Sequence, residues 1–406
     1  MPTTRRRVDP ASVVTVTDLD ALISGLRASA GRMLADVRTL VTCESPSSDL
    51  LATAGCAELV AQLGRELAGV DPQEYAVEGR RHLVWRCGGP TQVLLVGHCD
   101  TVWPAGTLER WPFSVDGDRA TGPGIFDMKA GLVQMFHALA ALDDRTGVTV
   151  LVTTDEELGS PTSRALIEAE ARGARAALVL EASAPGGALK TVRKGTSMYR
   201  LDVHGKASHA GLEPEAGINA TVEVAHQVLA IAALGDPEAG TTVTPTVLRG
   251  GRTVNTVPDS AEISVDVRAT GRAEQERVDA ALRALPAVLP GARLEWDGGI
   301  NRPPLDAGSS SDLFALAGSL AVAMGLPELR SAAVGGASDG NFTAGVGIPT
   351  LDGLGAVGDH AHAEGEWASI SAMPERAALL AALIDAVRSD LGAVGARDAA
   401  DGTVTR

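Results

Sequence analysis

One histidine and two aspartates lie where a buried strand is predicted to end and a helix to begin. The apolar run 93–96 predicts a central strand of an α/β sheet, buried on both faces. His98 and Asp100 follow it at the carboxyl edge, where open α/β sheets place their ligands. Asp127 precedes the predicted helix 128–142 and is predicted to be its N-cap. Imidazole and carboxylate groups in such positions are typical of metal sites, although a polar loop with a capping aspartate gives the same short pattern.

Further acidic and imidazole groups follow the ends of other predicted elements. Two come after the strand 148–153, one ends the strand 177–181, and two lie in a C-terminal segment: Glu156, Glu157, Glu181, His360 and His362. These groups are expected to converge on one crevice, because the carboxyl ends of parallel strands meet at one edge of the sheet. Such a density of negative charge needs cations. Oxygen and nitrogen ligands without thiolates favour zinc, with cobalt or manganese as substitutes.

Two places in this set suggest chemistry beyond metal binding. A carboxylate such as Asp127 can bridge two ions about 3.5–4 Å apart, which is the spacing of two-metal hydrolysis. The adjacent Glu156 and Glu157 point to different sides of the chain. One of them can therefore bind metal while the other acts on the attacking water as a general base. Taken alone, the Asp-Glu-Glu run is also typical of a solvated acidic turn.

The elements that position these residues alternate between strand and helix. Predicted strands at 83–86, 93–96, 148–153 and 177–181 are interspersed with predicted helices at 128–142 and 162–172. This alternation indicates an α/β fold with a mostly parallel central sheet and helices on both faces. The last predicted helix begins with Pro374 at its first position and ends at Gly392.

The pattern changes near residue 190. Residues 198–204 alternate as a half-solvated antiparallel strand does, and helices are predicted at 219–234 and 272–285. We expect an inserted α+β domain with two helices on a four-stranded antiparallel sheet. The predicted domains are a flexible N-terminus (1–12), a discontinuous metal-binding domain (13–193 and 304–394), the inserted domain (194–303) and a flexible tail (395–406).

Composition excludes several classes of partner. The 406 residues carry 35 basic and 51 acidic side chains, a net charge of −16, so nucleic-acid binding is not expected. No basic amphipathic run, signal peptide or apolar run of about 18 residues predicts membrane attachment, which favours a cytoplasmic protein. The four cysteines lack Cys-x-x-Cys spacing and are expected to be reduced, with Cys99 a small buried hydrophobe.

Seven motifs resemble the signatures of the two-zinc exopeptidase family. In chain order they are HCDTV, GPGIFDMKAG, TTDEELGS, LVLEAS, RKGTSMYRLDVHGKASHAG, RTVNTVP and HAEGEW. That family includes glutamate carboxypeptidase, acetylornithine deacetylase, succinyl-diaminopimelate desuccinylase and aminoacylase. The resemblance extends from about residue 40 to residue 392 and is densest toward the bacterial glutamate carboxypeptidases.

The resemblance implies two zinc ions per subunit, held by five ligands. His98 and Glu181 would hold one ion and Glu157 and His362 the other, with Asp127 between them. It also implies that Glu156 is the general base and that Asp100 orients His98. His360 is the rival for the last ligand, and His362 is preferred because its spacing to Glu366 and Trp367 matches the family pattern.

The resemblance makes the inserted domain a dimerisation domain and lid. His209 resembles a histidine that reaches the partner subunit's site and polarises the scissile carbonyl. Residues that resemble substrate-binding positions are Lys194, Asn255, Arg268, Arg302, Gly336 and Ser338. Arginine suits a substrate carboxylate, although Arg268 and Arg302 could instead form surface ion pairs.

The function predicted from the resemblance is that of a homodimeric, zinc-dependent metallocarboxypeptidase or amidohydrolase. It would cleave an amide or peptide bond next to a free C-terminal carboxylate in a small molecule or short peptide. Within the family, the expected type is a glutamate carboxypeptidase. The alternative within the family is an N-acyl-amino-acid deacylase of the aminoacylase or acetylornithine deacetylase type. From another class, the alternative is a catalytically inactive binding protein. A third possibility is a one-domain aminopeptidase relative, which would lack the KASHAG insertion that this sequence contains.

Overall fold

The computed structural model describes residues 18–389, which form two compact units. The discontinuous unit comprises 18–192, 307–333 and 338–389, and the inserted unit comprises 193–306 and 334–337. The inserted unit thus runs slightly further than the predicted domain 194–303 and includes a short second segment. The predicted flexible ends, 1–12 and 395–406, and the predicted helix end at Gly392 lie outside the described residues.

The described residues form helices and strands with the following bounds. The helices are α1 (Leu19–Ala28), α2 (Ala30–Val41), α3 (Leu50–Ala68), α4 (Thr107–Arg110), α5 (Ala130–Ala140), α6 (Arg164–Ala171), α7 (Ala220–Ala232), α8 (Arg272–Arg283), α9 (Ala307–Ala323), α10 (Gly340–Gly345) and α11 (Ala372–Arg388). The strands are β1 (Gln73–Val77), β2 (Arg80–Arg86), β3 (Val93–His98), β4 (Ser114–Asp116), β5 (Arg119–Thr121), β6 (Val148–Thr153), β7 (Ala176–Val179), β8 (Leu189–Arg193), β9 (Gly195–His204), β10 (Ser208–His209), β11 (Thr242–Gly250), β12 (Thr256–Val257), β13 (Ser260–Ala269), β14 (Arg293–Arg302), β15 (Ser331–Val334), β16 (Thr350–Leu351), β17 (Gly358–Asp359) and β18 (Trp367–Ser369). None of the helices within 18–389 is long and apolar enough to span a membrane.

The discontinuous unit is built on a six-stranded sheet in the order β1-β2-β6-β3-β7-β16. β6, β3, β7 and β16 are parallel, while β1 and β2 form an antiparallel hairpin at one edge. The predicted α/β fold with a mostly parallel central sheet is therefore confirmed. The carboxyl ends of β6, β3 and β7 are neighbours, so residues that follow these strands emerge side by side.

Both faces of this sheet are covered by helices, as predicted. Alternate residues of β3 point to opposite faces: Leu95 joins the large core packed by α5 and α11, and Leu94 and Val96 join a smaller core that includes Ile167 of α6 and Phe342 of α10. This double burial explains why the strands read as continuous apolar runs rather than alternating ones.

The inserted unit is the predicted α+β domain. Its antiparallel sheet has the order β11-β13-β9-β14, and α7 and α8 pack against one face. Burial alternates along β13, with Ile263, Val265 and Val267 facing the helices. A register shift between Ile300 and Arg302 marks an irregularity at the end of β14.

Two predicted helix starts are wrong. Asp127 does not cap α5: the helix begins at Ala130, and Asp127 lies before it in the irregular turn Ile125–Lys129. Its carboxylate faces two histidines instead. Pro374 is the third residue of α11 and not the first, because the helix already begins at Ala372, whose N–H donates to the Ser369 hydroxyl at 3.2 Å. A proline in the first turn removes no helical hydrogen bond, so either position is compatible with the helix.

Candidate metal centre

Three neighbouring strands deliver side chains to one edge of the central sheet. β3 ends in His98, a short 3-10 turn of Glu156–Leu158 follows β6, and Glu181 follows β7 by two residues. The side chains of His98 and Glu181 are buried, and Glu156 is 7% exposed. Ligand atoms of these three residues lie within 4.8 Å of one another. The sheet thus brings together residues that the sequence separates widely.

Asp127 lies between two histidines and presents a different oxygen to each. Its Oδ1 lies 3.3 Å from His98 Nε2, and its Oδ2 lies 3.3 Å from His362 Nε2. The same nitrogens also approach other carboxylates, with His98 Nε2 3.6 Å from Glu181 Oε1 and His362 Nε2 3.2 Å from Glu157 Oε1. One carboxylate facing two separate imidazole–carboxylate pairs is the arrangement that a bridging ligand requires.

His362 and His360 occupy different surroundings. Both are exposed, but the His362 ring reaches Asp127 and Glu157, whereas the backbone N–H of His360 donates to the Asp359 carboxylate at 2.8 Å. Both residues have positive φ angles, 61° and 67°. For residues other than glycine this region is uncommon and is often retained at functional sites. The structure therefore brings His362 to the cluster, while its role as a ligand stays a prediction.

Asp100 connects the two sides of the cluster. Its Oδ1 lies 3.4 Å from His98 Nδ1, and its backbone carbonyl lies 3.0 Å from the same nitrogen. The carboxylate also accepts hydrogen bonds from the backbone N–H groups of Glu156 and Glu157, both at 3.2 Å, and from the Ser47 hydroxyl at 2.7 Å. Asp100 thus contacts both the imidazole and the turn of the two glutamates. The sequence predicts only the first of these contacts, and no pattern around Ser47 indicates the second.

The charges of the cluster shift one another's protonation. Burial lowers the pKa of His98, but its hydrogen bonds to three carboxylates raise that pKa well above the usual value. Hydrogen bonds to Asp127 and Glu157 raise the pKa of His362 to about 11. Burial raises the pKa of Asp127, but hydrogen bonds from both histidines hold it well below its usual range. Burial raises the pKa of Glu157 despite its hydrogen bond from His362. Protons on the imidazoles balance these carboxylates, and a divalent cation would replace them.

The donor set fits a pair of divalent ions. It offers imidazole nitrogens and carboxylate oxygens without a thiolate, which suits zinc. A second group of ligand atoms within 4.8 Å of one another comprises His98, Asp127 and Glu157. Lys190 Nζ, 3.9 Å from Glu181 Oε2, adds a positive charge at the rim of the cluster. The residues that could hold the ions are His98, Asp127, Glu157, Glu181 and His362.

One buried carboxylate beside Asp127 received no function from the sequence. Glu366 is fully buried, and burial raises its pKa to about 7 although N–H donors oppose that shift. The sequence indicates this residue only through its spacing to His362.

In the inserted unit, His209 presents one ring nitrogen as a donor. Its Nδ1 accepts hydrogen bonds from the backbone N–H groups of Gly211 and Leu212, at 3.1 and 3.2 Å. The proton of the neutral ring is therefore assigned to Nε2. His209 pairs with Thr256 across β10 and β12, and the carbonyl of Asn255 accepts from Ala210 at 3.0 Å, so His209 and Asn255 belong to one ribbon.

Several predicted substrate-binding residues make side-chain or backbone hydrogen bonds within their own unit. Arg268 makes hydrogen bonds of 2.8 and 2.9 Å to the Asp266 carboxylate, and Lys194 Nζ donates to the Gly240 carbonyl at 2.5 Å. The other contacts are those of the Arg302 carbonyl with Gln275 at 2.9 Å, the Gly336 carbonyl with Arg193 at 3.1 Å, and the Ser338 hydroxyl with Asp352 at 2.5 Å. Ser338 is fully buried in the discontinuous unit. Substrate binding by these residues stays a prediction.

The sequence is similar to a known family of peptidases and to individual enzymes. The model of peptidase family M20/M25/M40 matches residues 94–386. Carboxypeptidase G2 of Pseudomonas sp. (strain RS-16) is 35% identical over 326 residues, covering 75% of each chain. Succinyl-diaminopimelate desuccinylase of Wolinella succinogenes is 28% identical over 333 residues, covering 77% of this chain and 87% of that protein.

Solved structures share the fold. Aminopeptidase PepT from Bacillus cereus has a TM-score of 0.68 at 22% identity, covering 88% of this chain and 99% of that one. The M20 family metallo-carboxypeptidase Sso-CP2 from Sulfolobus solfataricus has a TM-score of 0.68 at 16% identity, covering 87% and 99%. At such identities the likeness concerns the fold.

Proposed function

This chain belongs to peptidase family M20/M25/M40, and we propose that it is a two-zinc hydrolase that cleaves an amide or peptide bond next to a free C-terminal carboxylate. The observation that supports this most is the position of Asp127, whose two oxygens lie 3.3 Å from two different histidines. Two of the proposed ligands, His98 and Glu181, lie beside Glu156. A binding protein without catalysis would not need that additional buried carboxylate.

Each proposed site residue has its own role in hydrolysis. His98 and Glu181 would hold one zinc, Glu157 and His362 the other, and Asp127 both. The ions would polarise the scissile carbonyl and make the attacking water more acidic. Glu156 would accept a proton from this water as its oxygen bonds to the carbonyl carbon, and donate it to the amine nitrogen as the C–N bond breaks. His209 would donate a hydrogen bond from its Nε2–H group to the carbonyl oxygen as negative charge develops there.

A C-terminal glutamate is the substrate we propose first. The relative at 35% identity is named a carboxypeptidase, and the sequence resembles the glutamate-specific branch. Arg302, which is 7% exposed, and Lys194 offer positive charge within the inserted unit. Their interaction with a glutamate carboxylate is part of the proposal.

The second candidate is an N-acyl-amino-acid deacylase. Arg268 makes three hydrogen bonds to Asp266, which removes one guanidinium from the set available to a side-chain carboxylate. Relatives named succinyl-diaminopimelate desuccinylase and acetylornithine deacetylase, at 28% and 29% identity, support the same alternative.

A panel of substrates separates the two candidates. N-acyl-glutamate, N-acyl-alanine, N-acyl-arginine and a β-alanyl-histidine dipeptide would be compared by kcat/KM with the zinc-loaded protein. The glutamate proposal expects the first to exceed the others at least about tenfold, a difference of about 1.4 kcal/mol in transition-state binding. Equal values for all would reject glutamate specificity and leave the deacylase. No turnover, together with no bound zinc in folded protein, would favour the inactive binding protein.

We further propose a homodimer formed through the inserted unit. β11 is an edge strand, and the neighbouring helix α7 exposes Leu229 to 71%. Val247 and Leu248 of β11 are also exposed, at 45% and 50%. An apolar edge of this kind is a place where a second chain adds its own strand. In this assembly His209 would act at the partner's site. The cytoplasmic location stays a prediction.

A further inference from the structure

A single buried carboxylate holds the turn that presents Asp127. Glu366 Oε1 accepts hydrogen bonds from the backbone N–H groups of Phe126 and Asp127, at 2.8 and 2.9 Å. Its Oε2 accepts from the N–H of Gly124 at 3.0 Å and from the indole N–H of Trp103 at 2.9 Å. Four donors on two oxygens satisfy the carboxylate fully, which is what its complete burial requires.

The backbone around Glu366 joins the same two segments. Trp367 of β18 pairs with Thr121 of β5, and the carbonyl of Glu366 accepts from the N–H of Gly122 at 3.4 Å. The turn that carries Asp127 follows β5, and the loop that carries His362 precedes β18. Glu366 therefore links the two loops at the point where they leave neighbouring strands.

This link matters because neither loop is held by regular structure. Asp127 has φ −116° and ψ 92°, outside the helical region, and three of the four Glu366 contacts are to the backbone of its turn. The side chain of His362 is 50% exposed, so packing alone constrains it weakly. The 3.3 Å approach of Asp127 Oδ2 to His362 Nε2 depends on the relative position of the two loops.

We propose that Glu366 is a positioning residue for the metal pair: its carboxylate fixes the Asp127 turn against the His362 loop, so that one aspartate can serve both ions. The inference depends on the proposed two-zinc function. In the proposed two-zinc site Glu366 contacts neither substrate nor metal, and it acts through the backbone of Asp127. Charge-assisted hydrogen bonds are strong and directional, which suits this task.

The test exchanges the carboxylate for an amide. In Glu366→Gln one oxygen still accepts from two N–H groups, but the NH2 group opposes the remaining pair of donors. We expect affinity for the more weakly bound zinc to fall about 10–100-fold, as is usual when supporting residues of a metal site are removed. The cobalt(II)-substituted protein should show an altered d–d absorption spectrum, and kcat should fall while KM changes little. The matched control is Glu364→Gln, which removes the same charge from an exposed residue of the same loop.

A second variant keeps the inference testable if the first does not fold. Trp103→Phe removes one donor to Oε2 and should weaken the second zinc by less than Glu366→Gln does. In the double variant the amide opposes one donor fewer. The combined fold-loss of zinc affinity should therefore be smaller than the product of the fold-losses of the two single variants. Calorimetric metal titration and the cobalt spectrum provide the readouts, with unfolding of the metal-free proteins followed separately.

The outcomes distinguish failure of this inference from failure of the proposed function. Glu366→Gln with both zinc affinities and the cobalt spectrum of the unchanged protein would overturn the inference and leave the proposed function intact. If Glu366→Gln does not fold, an unaltered Trp103→Phe protein would overturn it equally. If the wild-type protein binds no second zinc ion, the two-zinc function itself is rejected.

Discussion

Glu156 is the residue whose chemistry can be separated from metal binding most cleanly. It lies in the turn after β6, is 7% exposed, and its N–H donates to Asp100. We expect Glu156→Gln to retain zinc, because the five proposed ligands are unchanged, and to lose about 10²- to 10⁴-fold in kcat, the usual contribution of a general base. Metal analysis and steady-state kinetics would measure both, with Glu109→Gln, in the surface helix α4, as the charge-matched control. An active Glu156→Gln enzyme would contradict the assignment.

The protonation of His362 predicts how metal binding depends on pH. Its pKa is raised to about 11 by Asp127 and Glu157, and that of His98 is also raised. A metal ligand must be a neutral imidazole, so zinc binding should release protons and the apparent affinity should rise from about pH 6 to about pH 9. Titration calorimetry in buffers of different ionisation enthalpy counts the released protons. His362→Asn should reduce the number, whereas His360→Asn, on the exposed neighbour, should not. A pH-independent affinity would refute the expectation.

At the scale of elements, two glycines allow the chain after β7 to lie deep in the discontinuous unit. A methyl group at Gly131 of α5 would lie 2.3 Å from the Leu180 carbonyl oxygen, and one at Gly355 would lie 2.1 Å from the same atom. Glu181 follows directly, so the close approach of α5 fixes one proposed ligand. No other residue type would permit this packing without a backbone shift.

We therefore expect Gly131→Ala to destabilise the protein by about 1–3 kcal/mol through overpacking, and to weaken zinc binding through displacement of Glu181. Gly55→Ala in α3 is the matched control, because nothing lies within 4 Å of a methyl group there. Alanine should stabilise that helix by up to about 1 kcal/mol. Denaturant unfolding with and without zinc compares the two. Equal effects on stability would show that the Leu180 contact is unimportant.

Whether the sequence predicts a strand or helix correctly depends on where the side chains of that element are buried. β3, β6 and β7 were recognisable because they are buried on both faces, and the ends of these strands located His98, Glu156 and Glu181. The N-cap assigned to Asp127 failed because tertiary contacts draw its carboxylate to two histidines.

Other features depended on partners that are distant in sequence. The four donors to Glu366 lie 239 to 263 positions away along the chain, so no local pattern reveals them. By contrast, the Arg268–Asp266 contact was available from the sequence, because residues two apart on a strand share a face.

At the scale of the whole molecule, the proposed dimer predicts complementation between inactive subunits. A His209→Ala subunit retains its own Glu156, and a Glu156→Gln subunit can supply His209 to it. If His209 acts across the interface, random mixing should restore about a quarter of the wild-type activity, because half of the dimers are mixed and each has one complete site. Each variant alone should stay nearly inactive.

The control for complementation removes the interface. Leu229→Asp places a charge on the exposed apolar surface of α7 and should shift the protein toward monomers in light scattering. The same change in both inactive subunits should abolish the recovered activity. The absence of recovery in stable mixed dimers would show that His209 serves its own subunit. Recovery that persists in monomers would show that complementation does not depend on this interface.

The discontinuous unit has a consequence for the order in which the site is made. Four of the five proposed ligands are synthesised before the inserted unit, and His362 and Glu366 are synthesised only after it. Because chains fold progressively during translation, the nascent chain would display an incomplete, strongly acidic half-site until the last part emerges. The C-terminal segment therefore supplies the last of the proposed ligands. A truncated product could bury much of the central sheet, yet it would lack the residues that complete the metal centre.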